Sequence, residues 1–389
     1  MPASSRWRHL GVAAAAPAAA LFAVFDLYQW GLAYAGDRFH NDFTFYVAAA
    51  KIGLGHGWPS IYDLTLQQAQ LDAMGSRITI AELARYISPP PVAWIAVPFT
   101  TLPYEPAYWI WSGLLVAALA GTWWLAAPGH GPSRLILLAA AIGWLPVIYA
   151  LQLGQPGLCV ALGVAASYGL LKWNRPLWAG IALGALALKP QLAFLVPLAL
   201  LFARHDRAFA GSLLSLGLLA ALSAIALGTA GLSDYMARLS FAAAVPVNRE
   251  LTLAYLLGAG PSTRVAQVAI GLWSLVLAYR TRGRGVEWLY VCALAGGMLA
   301  TPYVHLDDLA MLGLAAWMLL RADRSPLAWG YALLAALVIE GEPLWGPAPV
   351  VLVELGALAL LSIAAFRTQP APAAPRPQPV HSPHPTTPR

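Results

Sequence analysis

The feature that most limits what this chain can fold into is a series of apolar runs, each about 15–25 residues long, recurring from residue 10 to residue 366. A helix needs about 20 such residues to cross the hydrocarbon layer of a membrane. Within lipid every backbone N–H and C=O must be satisfied inside the structure, which leaves helices or a closed barrel. The runs are continuous rather than alternating, which selects helices. Only 10% of the residues are charged, against about 25% in soluble domains. The expected class is an all-α polytopic membrane protein.

Candidate helices fall at 10–35, 89–102, 105–127, 134–152, 156–172, 176–189, 191–203, 208–229, 261–280, 286–301, 305–321, 326–340 and 347–366. The net charge of +6 resides mainly in short basic clusters: Arg6/Arg8, Lys172/Arg175, Arg204/Arg207, Arg280/Arg282/Arg284, Arg321/Arg324 and Arg367. These read as cytoplasmic topology signals rather than as a nucleic-acid surface, so no nucleic-acid partner is expected. Residues 36–88, 230–260, 301–305 and 340–347 then face outward. With both termini inside, the number of crossings must be even, so about 12 transmembrane helices are expected. The Pro-rich entry SPPP (88–91) makes 89–127 the region where one segment fails to span.

This gives a short cytoplasmic N-terminus (1–9), a multi-span domain (10–366) and a disordered Pro-rich cytoplasmic tail (367–389). The long first extracytoplasmic loop (36–88) is expected to carry short interfacial helices, with LTLQQAQLDAMG (64–75) the clearest. The N-terminal apolar run exceeds a signal-peptide core and reads as an uncleaved first helix. Cys159 and Cys292 both sit inside apolar runs, as inert thiols.

Ionisable groups at the edge of a membrane are costly and mark function. Under this topology several meet the outer face. Asp37 and Asp42 follow the first helix. Lys189 is the only charge between Arg175 and Arg204, and Lys189-Pro190 is the natural break of that stretch. His305, Asp307 and Asp308 follow a proline turn, Gln152 and Gln155 flank Gly154, and Arg249 lies in the 230–260 loop. Each also has a structural reading: Asp42 as a helix N-cap, Lys189 as a snorkelling cation, His305 as a polar helix start, Asp63 as a loop brace. An acid, an imidazole and a cation facing outward fit two classes, a transporter or flippase of a lipid-linked sugar and a glycosyltransferase that uses one. A transporter is expected to show an internal repeat, and the chain has none that is recognisable.

Five segments occur together and in order: DFTFYVAAAKIGLGHGWPSIYD (42–63), YISPPPVAWIAVPFTTLP (86–103), LGQPGLCVALG (153–163), AGIALGALALKPQLAFLVPLALL (179–201) and TPYVHLDDLAML (301–312). In them the chain resembles the polyprenol-phosphate-mannose-dependent mannosyltransferases of the GT-C type, in glycosyltransferase family 87. The resemblance covers roughly residues 20–320. It implies a GT-C type membrane fold with its active site on the extracytoplasmic face of the plasma (inner) membrane. It implies a polyprenyl-phosphate sugar donor, most simply mannose, an acceptor glycan or glycolipid, and inversion at the anomeric carbon, with no metal or cofactor. Carried over by position, the catalytic residues are Asp42 as general base and His305, and Lys189 falls on the family's Lys-Pro, where it meets donor phosphate. From their place on the outer face, Arg249 is the second candidate for the donor phosphate, and Asp37, Gln155, Asp307 and Asp308 are accessory candidates. The chain departs from the pattern at Val304, where many members carry an aromatic residue, and beyond residue 320, where the match weakens.

Overall fold

The structure, a computed structural model, describes residues 3–81 and 85–367. Glu82 and the Pro-rich segment from residue 368 onward lie outside the described residues. Among the described residues the regular elements are all helical. In the first half they are α1 (Ala3–Gly36), α2 (Asp42–His56), α3 (Leu64–Ala73), α4 (Pro90–Ala96), α5 (Tyr104–Ala126), α6 (Pro132–Ile142), α7 (Leu145–Leu153), α8 (Gly157–Lys172) and α9 (Pro176–Ala182). The second half holds α10 (Leu195–Phe202), α11 (Asp206–Ala244), α12 (Leu253–Leu257), α13 (Pro261–Thr281), α14 (Val286–Ala300), α15 (Ala310–Ala322), α16 (Pro326–Glu340), α17 (Glu342–Trp345) and α18 (Pro347–Phe366).

Three of these, α5, α11 and α18, are long and apolar enough to cross a membrane. The pair α6–α7, bent by 57°, makes a fourth if it is one broken span. α8, α14, α16 and the segment 176–188 are apolar but shorter. Prolines are the reason for much of this punctuation. Proline sits at the first or second position of α4, α6, α7, α9, α13, α16 and α18, where its missing N–H costs nothing, and it ends whatever helix precedes it. Residues 90–101 form one short helix and a 3₁₀ turn, about 18 Å at helical rise, too short for a bilayer of about 30 Å. The segment that fails to span on its own therefore lies at the start of 89–127, and α5 is the full-length one. The outward face of α11 carries Leu214, Leu218 and Ile225, the last 78% exposed, a ridge suited to lipid and not to water.

Several boundaries differ from expectation: 134–152 is divided into α6 and α7, 176–189 is α9 followed by a 3₁₀ turn, and α11 is longer than its apolar run. The sequence places a helix at 208–229 and a loop from 230, whereas α11 resumes after Gly228 and runs to Ala244. Gly228 takes a left-handed φ of 59°, which kinks the helix without ending it. Beyond the kink α11 covers the segment between α2 and α4. The backbone of Gly231 lies against Pro59, Tyr235 stacks on Tyr62 at 4.8 Å, and Arg85 sits 4.0 Å over Phe241. The loop is further braced by Asp63, which caps α3 through the Leu66 N–H at 3.0 Å, and by Gln67, which accepts from the Tyr86 N–H at 2.9 Å.

The buried side chains form two cores. An aromatic one gathers Phe43, Tyr46, Tyr62, Tyr86, Tyr108 and Trp111 from α2, the segment between α2 and α4, and α5. An aliphatic one is built on α8, α10, α14 and α15. Leu188 packs against both, so the residue after it, Lys189, stands at the seam between them.

Candidate active site

Asn41, not Asp42, caps α2: its Oδ1 accepts the Thr44 N–H at 3.1 Å. The Asp42 carboxylate is thereby released from capping and accepts a hydrogen bond from Gln155 Nε2 on the far side of the aromatic core. Gln155 is aimed by the residue before it. Gly154 ends α7 in a left-handed conformation, φ 72°, and its carbonyl accepts the Trp111 indole N–H at 2.8 Å. Lys189 occupies the break between the 3₁₀ turns Leu183–Leu188 and Pro190–Leu192, as the Lys-Pro pair implies. Its Nζ donates to Gln155 Oε1 at 3.0 Å and to Asp307 Oδ2 at 2.7 Å, and pairs with Asp308 Oδ1. Asp307 and Asp308 sit on the 3₁₀ turn Leu306–Leu309, and Asp308 Oδ2 accepts the His305 backbone N–H at 2.9 Å.

The result is one polar chain, Asp42–Gln155–Lys189–Asp307/Asp308, laid across the seam of two apolar cores. Of the three N–H donors of the ammonium, Lys189 places two in hydrogen bonds, to Gln155 and Asp307, and it is ion-paired with Asp308 besides. A phosphate that approaches Lys189 competes with these partners. Arg249 is less committed: it is half-exposed, and its Nη2 donates to the Ala244 carbonyl at 3.0 Å.

His305 lies at the other end of the cluster. Its Nε2 is 2.6 Å from Asn248 Oδ1, while the Asn248 amide nitrogen donates to the Ala242 carbonyl at 2.7 Å. The amide oxygen is thus the acceptor, and neutral His305 carries its proton on Nε2. Asn248 is fully buried and its own carbonyl accepts the Val304 N–H at 3.2 Å, which ties the 245–249 loop to the His305 turn.

Sequence reasoning missed Asn248, a lone neutral residue with no pattern around it. It found Asp42, Gln155, Lys189, His305, Asp307 and Asp308, which the structure brings together, and Arg249, the chain neighbour of Asn248. Asp37 is not brought to the cluster: it folds back on its own turn, accepting the Phe39 N–H at 3.0 Å. Among the described residues no group of three His, Cys, Asp or Glu side chains is arranged to hold a metal ion.

Burial drives the electrostatics. It raises Asp42 to about 7, with the nearby Asp307 charge adding to the shift and Lys189 and the Gln155 hydrogen bond opposing it. Burial also raises Asp307, but Lys189 overcomes this and holds it below the ordinary range. Asp308, more deeply enclosed and next to Asp307, is raised to about 7. Burial lowers His305, which keeps the imidazole neutral. Asp42 is enclosed yet retains an accessible edge. A half-enclosed carboxylate that titrates near neutral pH is suited to taking a proton from a weakly acidic hydroxyl.

Residues 86–344, two thirds of the chain, match the model of glycosyltransferase family 87. The chain belongs to that family. No curated protein and no solved structure matches it. The family match contains Gln155, Lys189, Arg249, His305, Asp307 and Asp308. Asp42 lies upstream of it, and its tie to the matched region is the hydrogen bond from Gln155. As a family 87 glycosyltransferase on a helical membrane scaffold, the protein uses a sugar donor and an acceptor.

Proposed function

We propose that this family 87 enzyme transfers mannose from a polyprenyl-phosphate donor to a hydroxyl of a glycan or glycolipid, on the extracytoplasmic face of the plasma (inner) membrane, in a GT-C type fold. The observation that carries the reading is the Asp42 carboxylate, freed from capping, half-enclosed, and wired through Gln155 to Lys189 and the Asp307–Asp308 pair. In one displacement the acceptor oxygen bonds to the anomeric carbon and its proton passes to Asp42. The bond from that carbon to the phosphate oxygen breaks, and its electron pair leaves with polyprenyl phosphate. A single displacement inverts the centre, so a β-mannosyl phosphate yields an α-mannoside. A positioned base contributes about 10²–10⁴ in rate.

The departing phosphate gains charge, and a cation placed beside it lowers the barrier. Arg249 serves this role with uncommitted donors. Lys189 neutralises the Asp307–Asp308 pair and reaches phosphate in competition with Gln155 and those carboxylates. His305, neutral and fixed in one tautomer, holds a sugar hydroxyl. The test is turnover by purified protein in lipid vesicles, given polyprenyl-phosphate mannose labelled in the sugar. Labelled mannoside and free polyprenyl phosphate in equal amounts are expected. Intact donor crossing the bilayer without cleavage overturns the reading in favour of a flippase.

A further inference from the structure

The second core contains a carboxyl group that the proposed reaction does not use. Glu354 lies within the membrane-spanning α18 and is 4% exposed. Its Oε1 has no hydrogen-bond partner among the described residues. An ionisable residue placed inside a membrane span marks function more often than it marks packing. An unsatisfied polar atom in such surroundings is also costly, since no water competes to relieve it.

Glu354 is packed on most sides, and one edge of it meets a cavity of about 150 Å³ walled by α14, α15, α16 and α18 and open at one end. Alanines from all four helices, among them Ala295, Ala315, Ala332 and Ala357, keep the walls smooth and the slot open. Leu327, Ile363 and Arg367, all exposed, stand at one end, at the cytoplasmic side of the expected topology. Cavities of this size with purely apolar walls stay dry and take up apolar guests of about benzene's bulk. Of the polar lining residues, Asp323 and Arg367 lie at the open end and Tyr331 donates to the Val353 carbonyl, which leaves Glu354 as the unpartnered group within the slot, so the matching guest is apolar with one hydroxyl donor.

We propose that this slot is a binding site for a membrane-dissolved alcohol, whose hydrocarbon part fills the alanine-lined walls and whose hydroxyl donates to the Glu354 carboxyl group. The site is separate from the Asp42 cluster and does not depend on the glycosyl-transfer reading.

The test uses the full chain in lipid nanodiscs and an apolar carbodiimide, which reaches carboxyl groups from within the membrane and labels them covalently. Peptide mass spectrometry is expected to place the label on Glu354, with none at that position in Glu354→Gln. Octan-1-ol is expected to slow the labelling roughly tenfold more than octane of equal chain length, the worth of about one buried hydrogen bond. Ala332→Phe, which fills the slot while leaving Glu354 in place, is expected to abolish labelling in protein that melts as wild type does. Equal protection by octane and octan-1-ol overturns the proposal and makes the slot a packing void. Absence of label on Glu354 in wild-type protein of native melting temperature overturns it as well.

Discussion

Asp42 is asked to be a base in a place that favours its acid form. Burial and the Asp307 charge raise it to about 7, and only the unprotonated carboxylate accepts the acceptor's proton. The sign follows: kcat/KM rises with pH up to about 7 and levels off above it, and the rise disappears in Asp42→Asn. A pH profile of transfer between pH 5 and 9 checks this. Lys189 is the cation that keeps the Asp307–Asp308 pair tolerable in a buried site. Its ion-paired side chain is 10% exposed, and those of its partners 1% and 0%. Lys189→Met is expected to destabilise the fold by about 3–5 kcal/mol, because it leaves buried carboxylates unpaired. Adding Asp307→Asn in the same chain should return much of that loss, read as a melting temperature in detergent. At this scale the sequence disclosed the groups that carry charge, since an ionisable residue in an apolar run is conspicuous. It did not disclose Asn248, whose importance lies in two hydrogen bonds to residues near and far, nor that Asp37 would turn away from the cluster. It also left open whether Asp42 capped its own helix, a question that Asn41 decides by taking the cap.

Among the elements, the breaks matter more than the helices. The Gly154 turn and the Lys189-Pro190 break deliver Gln155 and Lys189 to one point. Gly154 combines a left-handed backbone with close neighbours: a Cβ there would meet Phe43 Cβ at 3.0 Å and Trp111 Nε1 at 3.2 Å. Gly154→Ala should therefore cost about 1–3 kcal/mol and lower kcat by shifting Gln155. Gly228→Ala is the control. It has the same sign of φ with open space around it, so about 1–3 kcal/mol of backbone strain is expected with activity kept. Denaturation midpoints and initial rates of both variants test the contrast. The Lys-Pro break was legible because proline announces itself. The continuation of α11 beyond residue 229 was not, because Asp234 and Arg238 interrupt the apolar run. What holds that stretch helical is its contact with Pro59 and Tyr62, about 170 residues earlier in the chain.

At the scale of the molecule, the polar chain lies where the aromatic core around residues 57–88 meets the aliphatic core within the bundle. Helix positions followed closely from apolar runs and prolines. The number of crossings did not, because many runs are divided into pieces too short to settle it by length. Orientation is open to direct test. Ala69, exposed on α3, and Arg207, exposed at the start of α11, belong to opposite faces of the expected topology. In intact cells a membrane-impermeant maleimide should label Ala69→Cys above the background of Cys159 and Cys292. It should label Arg207→Cys only after the membrane is opened. The reverse pattern would place the active site in the cytoplasm.

The most direct test of the account is transfer by Asp42→Asn, measured beside wild type with polyprenyl-phosphate mannose and a panel of hydroxyl acceptors. Asparagine keeps an oxygen to accept from Gln155, so folding should survive while the base is lost. The account predicts a fall of about 10²–10⁴ in kcat with the melting temperature unchanged. Wild-type turnover in this variant would contradict it and remove Asp42 from the chemistry.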